Sequence, residues 1–230
     1  MWQRSVKVIK YSGYNRSKTQ DPVVMERQRS LVNKTTGETM VSLPCFPQHD
    51  REWALGYLYS ELGIRTPPES VILNGPHIDW TPGPPTSVPI VKRDTAIQLA
   101  VSHLHQLTAS FQEAAILYKS TGATQSAALA TTNDIVAHAE DLTDIGAFYK
   151  VIGKSLLNDT LPQFSIGIIS GKVDESTVRS WAKLGTSILI SRGALTDLAI
   201  DCAIDNNLCL IGFARGVRFS IYTFPERIRQ

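Results

Sequence analysis

The last third of the chain alternates short apolar runs with longer stretches of helical period. Phe164-Ser165-Ile166-Gly167-Ile168-Ile169 has the length and branched content of a buried strand and stops at Ser170-Gly171-Lys172. Behind it, Asp174-Glu175-Ser176 supply a cap and acidic first-turn charge. Val178, Trp181, Ala182 and Leu184 give an apolar face and Gly185 a stop, which together predict a helix. The unit then recurs: a strand at Ser187–Ile190 ends in Ser191-Arg192-Gly193, and Leu195, Leu198, Ala199 and Cys202 form a stripe opposite Asp197, Asp201 and Asp205. A third buried strand runs from Leu208 to Phe213, and Arg215-Gly216 turns the chain into a last strand, Phe219–Phe224, closed by Pro225. Strands joined by single helices imply a parallel sheet finished by an antiparallel hairpin, the core of an α/β domain.

Upstream the periods are shorter. Val23 to Leu43 reads as two strands around the polar turn Thr35-Thr36-Gly37-Glu38, and Asp50 is expected to cap a helix that is apolar on two sides and stops at Gly63. Seven prolines between Arg65 and Pro89 predict mostly loop, with one short strand at Ser70–Leu73. Asp94-Thr95 is expected to open a helix carrying Ile97, Val101, Leu104 and Leu107, and the capping-box pattern Ser110-Phe111-Gln112-Glu113 to open another. Ser126–Ala130 and Ile135–Ala139 flank Thr131-Thr132-Asn133-Asp134 as a hairpin, and a helix follows over Asp144–Leu157. The expected organisation is a basic arm over 1–20, a β-rich part with one helix over 21–92, and an α/β domain over 93–230.

Composition narrows this only a little. With 230 residues and 43% hydrophobic content the chain can bury one good core or a main and a minor one. A net charge of +2 does not point to nucleic acid, and no run reaches the roughly 20 apolar residues of a membrane span. Arg4, Lys7, Lys10, Arg16 and Lys18, with no acid among residues 1–20, read as a solvated tail or edge strand. Cys45, Cys202 and Cys209 lack CxxC or CxxH spacing, so no disulfide framework or zinc site is indicated and a cytoplasmic setting is expected.

Three places have chemistry suited to an anion. Ser170-Gly171-Lys172 and Ser191-Arg192-Gly193 each put a hydroxyl, a glycine and a cation between a strand and a helix start, where unpaired N–H groups favour phosphate. Tight strand-to-helix turns also need such residues for backbone reasons alone. Phe213-Ala214-Arg215-Gly216-Val217-Arg218 offers two guanidiniums at a hairpin suited to phosphate or carboxylate, although on these residues alone an exposed turn with solvated arginines is the better reading. Among nucleophiles, Cys202 and Cys209 read as packing residues, while Cys45, between two prolines at a strand end, is the one thiol expected to be accessible. Glu140-Asp141 reads either as a carboxylate pair or as acids favouring a helix entry.

Thr121-Gly122, Glu140-Asp141, Lys150-Val151-Ile152-Gly153, Ser170-Gly171-Lys172 and Gly212-Phe213-Ala214-Arg215, in this order and spacing, resemble the formate dehydrogenase accessory protein family (FdhD/NarQ). So do Asp21-Pro22-Val23-Val24-Met25-Glu26 and Trp53-Ala54-Leu55-Gly56-Tyr57-Leu58 with Glu61. The resemblance implies a cytidine-deaminase-like mixed sheet without zinc, a homodimer, and transfer of sulfur from a cysteine desulfurase to the molybdenum cofactor of formate dehydrogenase. It also implies a site for molybdopterin guanine dinucleotide or a guanine nucleotide at Phe213–Arg218, with Thr121, Gly122, Ser170, Gly171 and Lys172 close by. The chain departs from the pattern in three places, one being the family's second glycine and histidine after the Thr-Gly turn, replaced here by Ala123 and Gln125. The stretch Thr86–Asp94, where the family has its CxxC, contains no cysteine, and Thr143-Asp144-Ile145-Gly146 replaces the family's glycine, arginine, histidine and asparagine. Cofactor binding with the sulfur-carrier step lost, sulfur transfer through Cys45, and a non-enzymatic interaction protein on the same scaffold are the three functions these features allow.

Overall fold

The structure is a computed structural model that describes residues 3–64, 68, 70–83, 94, 96–158, 160 and 165–230. The chain opens with a two-stranded hairpin, β1 (Gln3–Ser12) and β2 (Asn15–Val24), turned at Gly13. The basic residues 1–20 are therefore largely strand, and their limit falls inside β2. Next come β3 (Arg27–Asn33), β4 (Thr39–Cys45), α1 (Asp50–Ser60), β5 (Ser70–Asn74) and β6 (His77–Thr81). Strands β3 to β6 form a sheet in the order β4-β3-β6-β5, with β3 and β6 parallel.

The main body holds β7 (Leu99–Ala100), α2 (Val101–Ala114), α3 (Ile116–Thr121), β8 (Gln125–Ala130), β9 (Ile135–Asp141) and α4 (Asp144–Leu157). It continues through β10 (Ile166–Ile169), α5 (Glu175–Lys183), β11 (Ile188–Ser191), α6 (Asp197–Asp205), β12 (Cys209–Arg215), β13 (Arg218–Ile221) and β14 (Ile228–Arg229). Six of the strands form one sheet in the order β13-β12-β11-β10-β8-β9. Its centre, β10 to β12, is parallel, and antiparallel strands flank it on both sides. The parallel strands and the closing antiparallel hairpin are those the periodicity implies, and the sheet as a whole is mixed, as the family resemblance implies.

Every residue of β10 and β11 is buried, because the sheet is covered on both faces and a strand so placed has no solvent side. One face packs Leu129, Ile169, Leu189 and Leu210 against α4, α5 and α6. The other packs Ile168, Ile190 and Ile211 against Leu104, Leu107 and Phe111 of α2. The first of these cores continues into Leu31, Trp53, Ile78 and Trp80, so the β-rich part shares its interior with the main body.

The joint between the two is the α1–α4 crossing. A Cβ on Gly56 would lie 1.8 Å from the carbonyl oxygen of Tyr149, and one on Gly153 would lie 1.8 Å from that of Glu52. Each helix therefore presents a glycine to the other's backbone, which no larger residue permits.

Several sequence expectations need correction. Helix α1 starts at Asp50, and its cap position is His49, at φ 63 with no side-chain cap. Asp50 instead takes two hydrogen bonds from Arg29, at 2.9 and 3.2 Å. Helix α2 starts at Val101, leaving Ile97 ahead of it, and Ser110–Glu113 lies inside the helix, where Leu104, Leu107, Thr108 and Phe111 keep one apolar stripe going. The following helix opens at Ile116 and takes its cap from elsewhere in the chain, as described below. The proline-rich stretch contains a second strand, β6, because Pro76 occupies the β5–β6 turn and leaves Ile78 and Trp80 to alternate inward. Leu198 is 56% exposed, so the buried face of α6 is Ala199, Cys202 and Ala203. The last strand of the large sheet ends at Ile221, and Phe224 sits at φ 51 before a 3-10 turn. Phe164, Thr95 and residues 86–93 lie outside the described residues.

Candidate functional site

The parallel strands β10, β11 and β12 end side by side, so their three following turns are neighbours despite lying some twenty residues apart in sequence. They are tied together through backbone groups. The Ser191 hydroxyl donates to the Gly171 carbonyl at 2.6 Å, and the Gly193 N–H donates to that same hydroxyl at 2.9 Å. The Phe213 N–H donates to the Gly193 carbonyl at 3.0 Å, and Arg215 Nε donates to the Arg192 carbonyl at 2.9 Å. Gly193 is required by this stacking, because a Cβ there would meet the Gly171 carbonyl oxygen at 2.5 Å.

A cleft of about 370 Å³ opens over these turns, lined by Ser170, Gly171, Lys172, Arg192, Gly193 and Arg215, with Phe111 and Tyr118 as its opposite wall. A second, wider hollow of about 640 Å³ lies across Arg215, against Phe213, Val217, Arg218 and Phe219. Arg215 lines both. The structure thus brings Ser170, Gly171, Lys172 and Arg215 to one cleft and places Phe213, Val217 and Arg218 at the adjoining one. Ala214 is buried in the core, Gly216 forms the hairpin turn at φ 59, and Thr121 and Gly122 line neither cavity. Thr121 caps its own helix by donating to the Leu117 carbonyl.

The electrostatics of the cleft are lopsided. Arg215 and Arg218 are directly opposed across the β12–β13 pair, an arrangement that costs stability unless a counter-charge intervenes. Arg192 Nε is buried and has no hydrogen-bond partner among the described residues. Arg192, Arg215 and Lys172 thus line the cleft, with Arg218 at the adjoining hollow, and the Lys172 ammonium is paired with Asp174 at 3.1 Å. The two serine hydroxyls read as anion ligands are already engaged: Ser170 takes the Ser126 N–H at 2.9 Å and donates to Gln125 at 2.7 Å, and Ser191 is used as described. Phosphate or carboxylate contacts fall to the cations and to backbone N–H groups.

The wall opposite is positioned by Glu140. Its carboxylate accepts from the N–H groups of Leu117 and Tyr118, at 2.9 and 2.8 Å, and from the Thr124 hydroxyl at 2.9 Å, which caps α3. Asp141 has a different task. Fully buried, it accepts from the N–H groups of Phe46 and Leu142 and sits 2.7 Å from the ammonium of Lys150, which also donates to the Phe46 carbonyl. Glu140 and Asp141 thus have separate tasks, Glu140 at the entry of α3 and not of the helix that follows it in sequence, and Asp141 in the buried ion pair. Both lie on β9 and hold the scaffold.

Cys45 adjoins that ion pair and is fully buried, which overturns the expectation of an accessible thiol. Burial, with the Asp141 carboxylate adding to it, pushes its thiol up to about 12. Cys202 and Cys209 are buried as their strand and helix positions imply, and burial pushes Cys209 up to about 12 as well. Among the described residues no group of three or more His, Cys, Asp or Glu side chains is placed to hold a metal, and no helix is long and apolar enough to cross a membrane.

Sequence reasoning named Arg192 in its turn but missed Phe111 and Tyr118 as cleft walls. Nothing in the sequence pointed to them, since they come from helices more than fifty residues before the turns they face.

The chain is 27% identical to the sulfur carrier protein FdhD of Bacillus subtilis over 97% of its own length and 96% of that protein's. It is 28% identical to the sulfur carrier protein FdhD of Bacillus pumilus over 91% of both chains. The fold matches a crystal structure described as that of a formate dehydrogenase accessory protein from Desulfotalea psychrophila, with a TM-score of 0.85 over the whole of both chains at 18% identity. The family pattern itself matches residues 84–229, well over half of the sequence, and on that ground the chain belongs to the FdhD/NarQ family.

Proposed function

We propose that this protein binds a guanine nucleotide, in the form of molybdopterin guanine dinucleotide or a simpler relative, at the ends of β10, β11 and β12. There it serves the maturation of a molybdenum-dependent formate dehydrogenase. The observation that carries the reading is the convergence of Lys172, Arg192 and Arg215 on one cleft in which the Arg192 Nε is buried without a hydrogen-bond partner among the described residues. A pyrophosphate would supply an acceptor for Arg192 and further contacts for Lys172 and Arg215, which already donate to Asp174 and to the Arg192 carbonyl, bidentately where a guanidinium fork is available.

The residues present fit such a group: cations and backbone N–H groups meet at strand ends, where open α/β sheets bind their ligands. The bound dinucleotide would present the molybdenum centre. The chain's own residues would bind its phosphates and orient it.

The sulfur-carrying step is not assigned to this chain. A persulfide forms on an accessible thiolate, and all three cysteines are buried. In this reading a cysteine desulfurase would have to deliver sulfur through thiols on another protein.

Calorimetry of the full chain with GDP, GTP and molybdopterin guanine dinucleotide tests the proposal. Binding of at least one, weakened roughly tenfold or more by Arg215→Ala, is the expected result. Absence of binding by all three would remove it. Intact mass after incubation with a cysteine desulfurase and cysteine should show no added sulfur, and an adduct lost in Cys45→Ala would return the sulfur step to this chain.

A further inference from the structure

Beside the cleft lies a smaller pocket of about 230 Å³, and Lys172 lines both. Its floor is Phe148 and Trp181, whose rings meet edge to face with centroids 5.1 Å apart. At its rim stands Asp144, the first residue of α4. We propose that Asp144 reads a heterocycle with two adjacent N–H donors, the edge that guanine presents through N1–H and its 2-amino group. Its pocket would then seat the base while the cleft takes the phosphates. This inference rests on the nucleotide reading above and assigns a specificity residue to it.

Four observations carry it. Asp144 Oδ1 is buried and has no hydrogen-bond partner among the described residues, so an acceptor is present with nothing to accept from. The other carboxylate at this pocket, Asp174, is already committed: it accepts from the Thr177 N–H at 3.0 Å, from the Ser176 hydroxyl at 2.7 Å and from Lys172 at 3.1 Å.

The position of the Asp144 carboxylate is also built in. Thr143 caps α4 by accepting from the Gly146 N–H, and a Cβ on Gly171 would lie 2.2 Å from Asp144 Oδ1, so the missing side chain at 171 makes room for that carboxylate. The glycine's φ is not in the left-handed region, so the turn itself does not require it. Finally, the pocket's size and aromatic floor suit a planar bicyclic ring. At roughly 30 Å³ per water it would hold about eight waters, too little for a whole dinucleotide.

Burial pushes the Asp144 carboxyl up, with Lys172 opposing and Asp174 reinforcing the shift, as expected of a carboxylate short of donors.

A carboxylate that accepts two N–H bonds discriminates against a base lacking one of them, because its second acceptor is left unpaired. Titration of the wild-type chain with GDP, inosine diphosphate and ADP should give GDP the tightest binding. Inosine diphosphate, which lacks the 2-amino group, should bind at least about tenfold weaker, and ADP weaker still. In Asp144→Asn and Asp144→Ser, with folding checked by circular dichroism, the preference for GDP over inosine diphosphate should shrink to about twofold or less while phosphate-dependent binding persists.

Equal binding of the three nucleotides by the wild type, or full discrimination in both variants, overturns the base seat and leaves the nucleotide site standing. Absence of binding by all three removes both proposals.

Discussion

Two clusters of charge lie on either side of α4, and they are built on opposite plans. Asp141 and Lys150 are both buried, 2.7 Å apart, and each also bonds to the backbone of Phe46. At the strand ends, Arg192 Nε and Asp144 Oδ1 are buried with no hydrogen-bond partner among the described residues, and Arg215 and Arg218 face each other as like charges. The first cluster is closed in charge: Asp141 Oδ1 accepts from two backbone N–H groups, and Oδ2, which takes no hydrogen bond among the described residues, lies 2.7 Å from the Lys150 ammonium, so neither buried charge is left uncompensated. The second leaves its strongest groups open, a state that costs stability and that a ligand of the right chemistry would relieve. Substitutions should therefore act with opposite signs in the two places.

The largest effect is expected at the closed cluster. Lys150→Met leaves Asp141 buried as an uncompensated carboxylate and removes the donor to Phe46, which should cost about 3–5 kcal/mol of unfolding free energy. Replacing both partners, Asp141→Leu with Lys150→Met, should cost less than the single change, because no buried charge remains. Urea denaturation of the three proteins checks this. A double variant less stable than Lys150→Met would mean that the backbone bonds of Asp141 to Phe46 and Leu142, rather than its charge, dominate.

A smaller loss is expected at the α1–α4 crossing, which holds the closed cluster in place. In Gly153→Ala the added Cβ would sit 1.8 Å from the Glu52 carbonyl oxygen, a backbone atom that can yield only if the helices part. The cost should be about 1–3 kcal/mol, the range for overpacking, even though alanine is the better helix former by roughly 1 kcal/mol. Thermal melts of Gly153→Ala and Gly56→Ala should both fall. A rise in either would show that propensity outweighs the clash and that the helices are less tightly joined than the geometry indicates.

How much of this could be read beforehand follows from the distance over which each feature is encoded. Helix α4 was legible to its end residues, since Thr143, the apolar period through Ile152 and the polar break after Leu157 all lie within one stretch. So was the strand–helix series from β10 to β12, whose buried strands announce themselves as unbroken apolar runs. Cys45 was misread because what encloses it, Asp141 and Lys150, lies about a hundred residues away. Locally the residue sits between prolines and looks like a surface turn. The start of α2 was misplaced because Ile97 falls in phase with Leu104 while belonging to the chain ahead of the helix.

The cleft was half legible. Each of its cationic turns was visible as a turn, and only the parallel pairing of three strands makes them one site. Gly171 was noticed for the wrong reason. It looked like a turn glycine, and its neighbour in space is the carboxylate of Asp144.

That carboxylate gives the smallest and most diagnostic expected effect, because its sign is reversed. Asp144→Asn replaces an unpartnered carboxylate by a neutral group of the same shape, so the protein should gain stability at neutral pH. The gain should be about 1 kcal/mol, at the low end for an unsatisfied buried group because part of the side chain remains solvated.

The pH dependence follows from the direction of the shift. Burial raises the folded-state pKa of Asp144 above its usual value of 3.8, so between 3.8 and the raised value the folded state holds more of its proton than the unfolded state does. Wild-type stability should accordingly fall, relative to Asp144→Asn, as pH rises through that window, with the gap constant above it. Paired urea titrations from pH 3.5 to 8 measure the difference directly. A gap that opened instead on acidification would mean that Asp144 is stabilised as a carboxylate by Lys172 and the α4 dipole. The strand-end cluster would then be as closed as the Asp141–Lys150 pair. A gap of the expected sign, removed when GDP is added to the wild type, would tie the stability cost of the open cluster to the ligand that relieves it.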